Sequence, residues 1–333
     1  MLNVCVVGAG AVGGVIGGRL ALAGVPVSAL ARGATLDALR THGWRLNDDA
    51  APVASASADP ADLGPQDVVV IAVKAHHLPG LAPALAPLLT PDTVLIPALN
   101  GVPWWFFHGF GGTLDGTVLD ATDPGGVITA ALPPNRVLGC VVHLAARQAA
   151  PGHALLTAGD ELIIGEPSGV ASPRADQAAG LLRSGGFTVT VSDAIQRDVW
   201  FKLWGNMTMN PISALTGATA DLILDDPLVN AFITRVMTEA AAIGAVIGTP
   251  ITQSTEERIG VTRRLGAFKT SMLQDAEAGR AIELDALVTA VREIGVRSGI
   301  ATPSIDALLG LTRLAARRRG LYTPERVTPA GPV

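Results

Sequence analysis

With 333 residues, 49% of them apolar and 16% charged, the chain has the composition of a globular protein of two ordinary domains and excludes a disordered one. Its formal net charge of −5 and scattered lysines and arginines argue against nucleic acid as a partner, because neutralising phosphates takes a concentrated basic face. The one tight basic run, Arg317-Arg318-Arg319, reads as the solvated end of a last helix.

In chain order, Leu2–Val7 reads as a buried strand, Val12–Ala23 as a helix and Val25–Ala31 as a second strand. Between them the sequence GAGAVG, at Gly8, Ala9, Gly10, Ala11, Val12 and Gly13, joins strand to helix. Gly8 permits the tight turn, Gly10 lets a pyrophosphate approach the main chain, and Gly13 lets helix and strand pack closely. The helix N-terminus adds free N–H groups and a partial positive charge for phosphates. Dinucleotide sites that prefer NAD place an acid about 20 residues past this turn. Here the chain has Ser28-Ala29-Leu30-Ala31-Arg32-Gly33, and the Arg32 fork suits a 2′-phosphate, so the expected cofactor is NADP(H).

Asp67–Val73 and Thr93–Ala98 are two further near-continuous apolar strands. Strands apolar on both faces and separated by helices point to a parallel sheet covered on both sides, hence an α/β domain of Rossmann type. Between these strands, Ala75–Pro91 is uncharged but carries Pro79, Pro83, Pro87 and Pro91, which exclude a membrane-spanning helix. From Gly139 to Gly165 the pattern turns hairpin-like in three pieces, GCVVHLA, HALLTA and ELIIG. A helix over Ser172–Ser184 and a strand over Phe187–Val191 follow. After Ser192 only helical patterns remain: Asp193–Asn210, Pro227–Ile247, Thr255–Asp275, Leu284–Ser298 and Pro303–Gly320. The expected organisation is a dinucleotide-binding domain over 1–192, an all-helical domain over 193–322 and a mobile tail over 323–333.

Two cysteines, Cys5 and Cys140, lie in apolar strand-like runs, which suggests buried thiols and a reducing compartment. The first residues lack the basic region of a signal peptide, so a soluble cytoplasmic protein is expected. His76-His77 has no Cys, Asp or Glu near it at ligand spacing, so no metal is expected.

The most informative stretch is Trp200 to Pro211. Lys202, Asn206 and Asn210, spaced i, i+4, i+8, fall within roughly 80° of one helix face. Burying one ammonium and two carboxamides on an otherwise apolar helix is costly unless they meet a polar ligand or one another. A solvated face is the alternative, but Trp200, Phe201, Leu203, Trp204 and Met207 leave it little room.

Here the sequence resembles the ketopantoate reductases (2-dehydropantoate 2-reductases) of pantothenate biosynthesis, from the glycine turn to about Tyr322. The marks are GAGAVG at 8–13, Val73-Lys74, Leu99-Asn100-Gly101, KLxxNxxxNP at 202–211, and Ser271-Met272-Leu273-Gln274-Asp275 followed by Glu283. The resemblance implies NADPH-dependent reduction of a 2-keto acid to its 2-hydroxy acid, with Lys202 as general acid. It implies that Asn206, Asn210 and Ser271 bind substrate. It further implies that Lys74, Asn100 and Glu283 hold the cofactor or the active-site lysine.

Three features depart from some family members: Phe268 and Ala220 stand where asparagines are found, and Trp104-Trp105-Phe106-Phe107 makes an unusually aromatic loop. Such a run is more often core or interface packing than a substrate box. Another hydroxy acid or opine-type dehydrogenase and a non-catalytic NADP-binding regulator are the alternative functions. The alanine-rich C-terminal helices leave two partners open, one another or a second copy in a homodimer.

Overall fold

The computed structural model describes residues 2–323. The chain divides into two compact units, one running through Lys202 and including Ile247–Thr249, the other made of Leu203–Val246 and the chain from Pro250 on. The division falls ten residues beyond the expected boundary at Ser192, inside a helix. The tail expected over 323–333 lies, from residue 324, outside the described residues.

The first unit contains strands β1 (Val4–Val7), β2 (Val27–Leu30), β3 (Trp44–Leu46), β4 (Asp49–Ala51), β5 (Ala56–Ser57), β6 (Val68–Ile71), β7 (Val94–Pro97), β8 (Gly139–Ala150), β9 (His153–Gly165) and β10 (Thr188–Val191). Its helices are α1 (Ala11–Leu22), α2 (Gly33–His42), α3 (Leu78–Leu81), α4 (Val127–Ala131) and α5 (Pro173–Ser184). One sheet is wholly parallel in the order β5-β2-β1-β6-β7. Its central strands, VCVV and VVVI, are buried on every residue, as a sheet covered on both faces requires. Register fixes the strand ends together: Val7 stands beside Leu30 and Ile71, and Ile71 beside Pro97. The residues that follow each strand therefore emerge along one carboxyl edge.

A second sheet, β10-β9-β3-β4 with β8 on β9, lies over the other side of α1. The three hairpin pieces expected between Gly139 and Gly165 are two long strands, because the ladder continues through its register shifts and turns only at 151–152. The short strands β3, β4 and β5 escape the sequence pattern, being two or three residues long. Helix α1 is squeezed between the sheets. A methyl group at Gly14 would stand 2.8 Å from the Ala154 side chain, one at Gly17 2.4 Å from the Trp44 ring, and one at Gly18 3.0 Å from Leu46.

The aromatic loop is core. Trp104, Trp105, Phe106 and Phe107 are all buried, the Trp104 indole donates to the Leu132 carbonyl (3.2 Å), and Phe106 packs on Trp200 and Phe110. Gly139 admits the Trp105 ring, which would lie 2.5 Å from any Cβ there. Cys5 and Cys140 are free and buried; burial pushes both thiols up to about 12, so they stay protonated at neutral pH.

Helix α6 (Ile195–Thr216) starts in the first unit and continues into the second. It runs through Pro211 rather than stopping at Asn210. The second unit adds α7 (Ala220–Asp225), α8 (Pro227–Ile247), α9 (Thr255–Arg263), α10 (Ser271–Glu277), α11 (Ala290–Arg297) and α12 (Pro303–Arg318). The single helix expected over Thr255–Asp275 is two, interrupted where Gly266 takes φ +66° and Thr270 caps a new start. A π-helical turn, Asp285–Thr289, precedes α11. By length and composition α8 is the one helix among the described residues able to cross a membrane; Ile233, Val236, Met237, Ala240 and Ile243 form its buried face. Arg317 and Arg318 are exposed as expected, but Arg319 donates to the carbonyls of Ala214 (3.0 Å) and Ala276 (3.1 Å), tying the end of α12 to α6 and α10.

Candidate active site

The carboxyl edge of the parallel sheet gathers the predicted cofactor residues of the first unit. After β1, Gly8 takes φ +93°, and a Cβ there would meet Val73 at 2.7 Å and the Ala72 carbonyl carbon at 3.1 Å. This left-handed turn with no room beside it is open to glycine alone. Gly13 sits where a Cβ would fall 2.0 Å from the Gly8 carbonyl oxygen. Gly10 is the opposite case: a Cβ would meet nothing within 4 Å. It N-caps α1 without any side-chain hydrogen bond, and the first turn carries no acid. The unsatisfied N–H groups and the positive end of the helix dipole thus face open space above Gly10, a cradle that fits a pyrophosphate.

Arg32 follows β2, is exposed, and N-caps α2 through its backbone. Lys74 follows β6 and is half-buried at the start of a 3₁₀ turn whose His77 N–H donates to the Lys74 carbonyl (2.9 Å). Asn100 follows β7, just before Gly101 at φ +87°. These positions fit a dinucleotide laid across the strand ends.

Lys202 closes the site of the first unit. Its Nζ donates to Asn100 Oδ1 (2.8 Å) and to the Val142 carbonyl on β8 (2.6 Å). Both of these acceptors are uncharged oxygens, and the one on Asn100 lies at the carboxyl edge. Sequence reasoning named Asn100 but missed Val142, since a carbonyl acceptor leaves no letter in the sequence.

In the second unit, Asn206 is half-buried and Asn210 is 5% exposed, one and two turns beyond Lys202 on α6. Ser271 is exposed at the first position of α10, whose cap is the Thr270 hydroxyl. Glu283 is 8% exposed, ahead of the π-helical turn. The neighbouring Ile282 N–H is held by the Leu321 carbonyl (3.0 Å). The two departing positions meet one another: the Ala220 N–H donates to the Phe268 carbonyl (3.1 Å). His76 and His77 stack edge to face, and no group of three or more potential metal ligands occurs among the described residues.

Two family models match, the ketopantoate reductase PanE/ApbA model over residues 4–103 and its C-terminal counterpart over 194–316. The chain is 44% identical to a 2-dehydropantoate 2-reductase of Mesorhizobium japonicum, covering 97% of this chain and all of the relative. A crystal structure from Ralstonia solanacearum MolK2, provisionally described as a ketopantoate reductase, shares 57% identity and superposes with a TM-score of 0.92 over 97% of this chain and all of that one. A PanE/ApbA family ketopantoate reductase from Ralstonia eutropha JMP134 follows at 26% identity and a TM-score of 0.81, over 96% of this chain and all of that one. The chain belongs to the ketopantoate reductase family of NAD(P)-dependent oxidoreductases.

Proposed function

We propose that the protein is a cytoplasmic reductase that uses NADPH to convert 2-dehydropantoate to pantoate, with Lys202 as its proton donor. The observation that carries this reading is the Lys202 ammonium, held by the Val142 carbonyl and by Asn100, which follows β7 at the carboxyl edge of the parallel sheet. Gly8, Ala9, Gly10, Ala11, Val12 and Gly13, with Lys74, Asn100 and Glu283, would hold the dinucleotide, and Arg32 its 2′-phosphate. When bound, a reduced nicotinamide supplies a hydride to the ketone carbon. Lys202 stabilises the negative charge growing on the ketone oxygen, then gives that oxygen its proton and leaves as a neutral amine that solvent reprotonates. Asn206, Asn210 and Ser271 orient the keto acid by hydrogen bonds. An intact proton donor speaks against a purely regulatory role.

The test is NADPH oxidation with 2-dehydropantoate, set against branched and aromatic 2-keto acids and repeated with NADH. The expected result is the highest kcat/KM for 2-dehydropantoate with NADPH, and an Arg32→Ala variant that loses its advantage over NADH. Lys202→Ala should lower kcat by about 10²–10⁴-fold while NADPH still binds by fluorescence titration. Near-full turnover by that variant removes Lys202 from the chemistry; a better aromatic substrate replaces the substrate assignment.

A further inference from the structure

Two buried hydroxyls outside the predicted site connect two of its members. The Ser213 hydroxyl donates to the Asn210 carbonyl (2.9 Å) and stands 2.5 Å from the Thr270 hydroxyl. Thr270 Oγ1 in turn accepts the Leu273 N–H (3.2 Å) that opens α10. Ser213 is fully buried and Thr270 is 1% exposed, so neither exchanges its partners with water. Each hydroxyl has one proton, so the directions of these bonds are coupled. Ser213 spends its proton on Asn210, so Thr270 must donate to Ser213, and the Thr270 lone pairs receive Leu273.

We infer that Thr270 and Ser213 are positioning residues for the keto acid: their hydroxyl chain sets Ser271, the residue after Thr270, against the turn of α6 that carries Asn210. The inference rests on the reading of Asn210 and Ser271 as substrate contacts. A serine on a short helix and an asparagine 61 residues away in the sequence have no common rigid element. The hydroxyl pair supplies one, in a region where α9 and α10 are separated by an irregular stretch around Gly266. A conventional helix cap needs only the Leu273 bond. The second bond, across to α6, is what fixes a distance between two ligand-binding groups.

The experiment is steady-state kinetics with 2-dehydropantoate and NADPH on Ser213→Ala, Thr270→Val, Thr270→Ser and Ser271→Ala. Loss of either hydroxyl should raise KM for the keto acid by roughly fivefold or more, leaving KM for NADPH unchanged. Thr270→Ser should return KM close to the parent value, and the Ser213→Ala/Thr270→Val pair should be no worse than either single change. A helix cap alone would instead lower melting temperature without this selective KM rise. Should Thr270→Val fail to fold, Ser213→Ala carries the test, since alanine fits a helix interior. An unchanged keto acid KM in Ser213→Ala, with a raised one in Ser271→Ala, overturns the positioning role. An unchanged KM in Ser271→Ala overturns the substrate-contact reading beneath it.

Discussion

Positions 10 and 13 are both glycine, for opposite physical reasons. At Gly13 the space for a methyl group is already filled by the Gly8 carbonyl oxygen, whereas at Gly10 it is empty. Gly13→Ala should therefore destabilise the protein itself, by about 2 kcal/mol or several degrees in thermal melting. Gly10→Ala should melt like the parent and bind NADPH at least about tenfold more weakly, a loss of roughly 1.4 kcal/mol. Calorimetry and fluorescence titration separate the two; equal melting losses would show that position 10 is not an open ligand surface. Both roles were legible in the sequence because the GxGxxG spacing encodes them. The Val142 carbonyl that holds Lys202 was not, since backbone acceptors have no residue preference.

At the scale of elements, the clearest surprise is α6, whose expected stop before Pro211 does not occur. Proline forfeits one helical hydrogen bond and crowds the preceding turn, and buried neighbours such as Met207, Ile212 and Ala214 hold the helix together across it. A comparable case is the junction of β9 and α5. Glu166 accepts from Arg174 Nε (2.6 Å) and Nη2 (2.5 Å) and from the Ser172 hydroxyl (2.5 Å). Arg174 also donates to the Asn135 carbonyl (2.9 Å). Burial alone would raise the Glu166 carboxyl, but the hydrogen bonds from Arg174 and Ser172 and the Arg174 charge outweigh it and hold it below the usual carboxylate range. A carboxyl depressed in the folded state stabilises above its unfolded value, near 4.5, and loses that contribution as pH falls through the folded value. Glu166→Gln should thus cost about 2 kcal/mol at pH 7, and the gap to the parent should close under acid. Urea midpoints measured at neutral and acid pH decide it; a gap that widens in acid contradicts the pairing.

For the whole molecule, the parallel sheet and the helical second unit were readable from runs such as VCVV, VVVI and the patterned helices after Ser192. Long, strongly patterned segments carry that information locally. The second sheet was readable only in part: its hairpin strands and β10 carry a strand pattern, but β3 and β4 are too short for periodicity and register shifts hide the continuity of the Gly139–Gly165 hairpin. Nor did the candidate site announce the hydroxyls of Ser213 and Thr270, whose meaning depends on two residues 57 apart in the sequence coming into contact. The aromatic loop at 104–107 looked open to either role, and only burial assigns it to packing.

The squeeze on α1 decides where this protein can be made to survive heat. Replacing helical glycines by alanine is a standard route to thermostability, and α1 offers the richest supply, yet Gly14 and Gly17 have side chains where the new methyl would go. Gains should come from elsewhere: Gly180 in α5 and Gly310 in α12, where a methyl would meet nothing within 4 Å. Each change to alanine there should add about 0.5–1 kcal/mol, readable as a higher melting temperature, while Gly17→Ala lowers it. Among the described helices, the one with the most glycines is the one with the least room for added side chains.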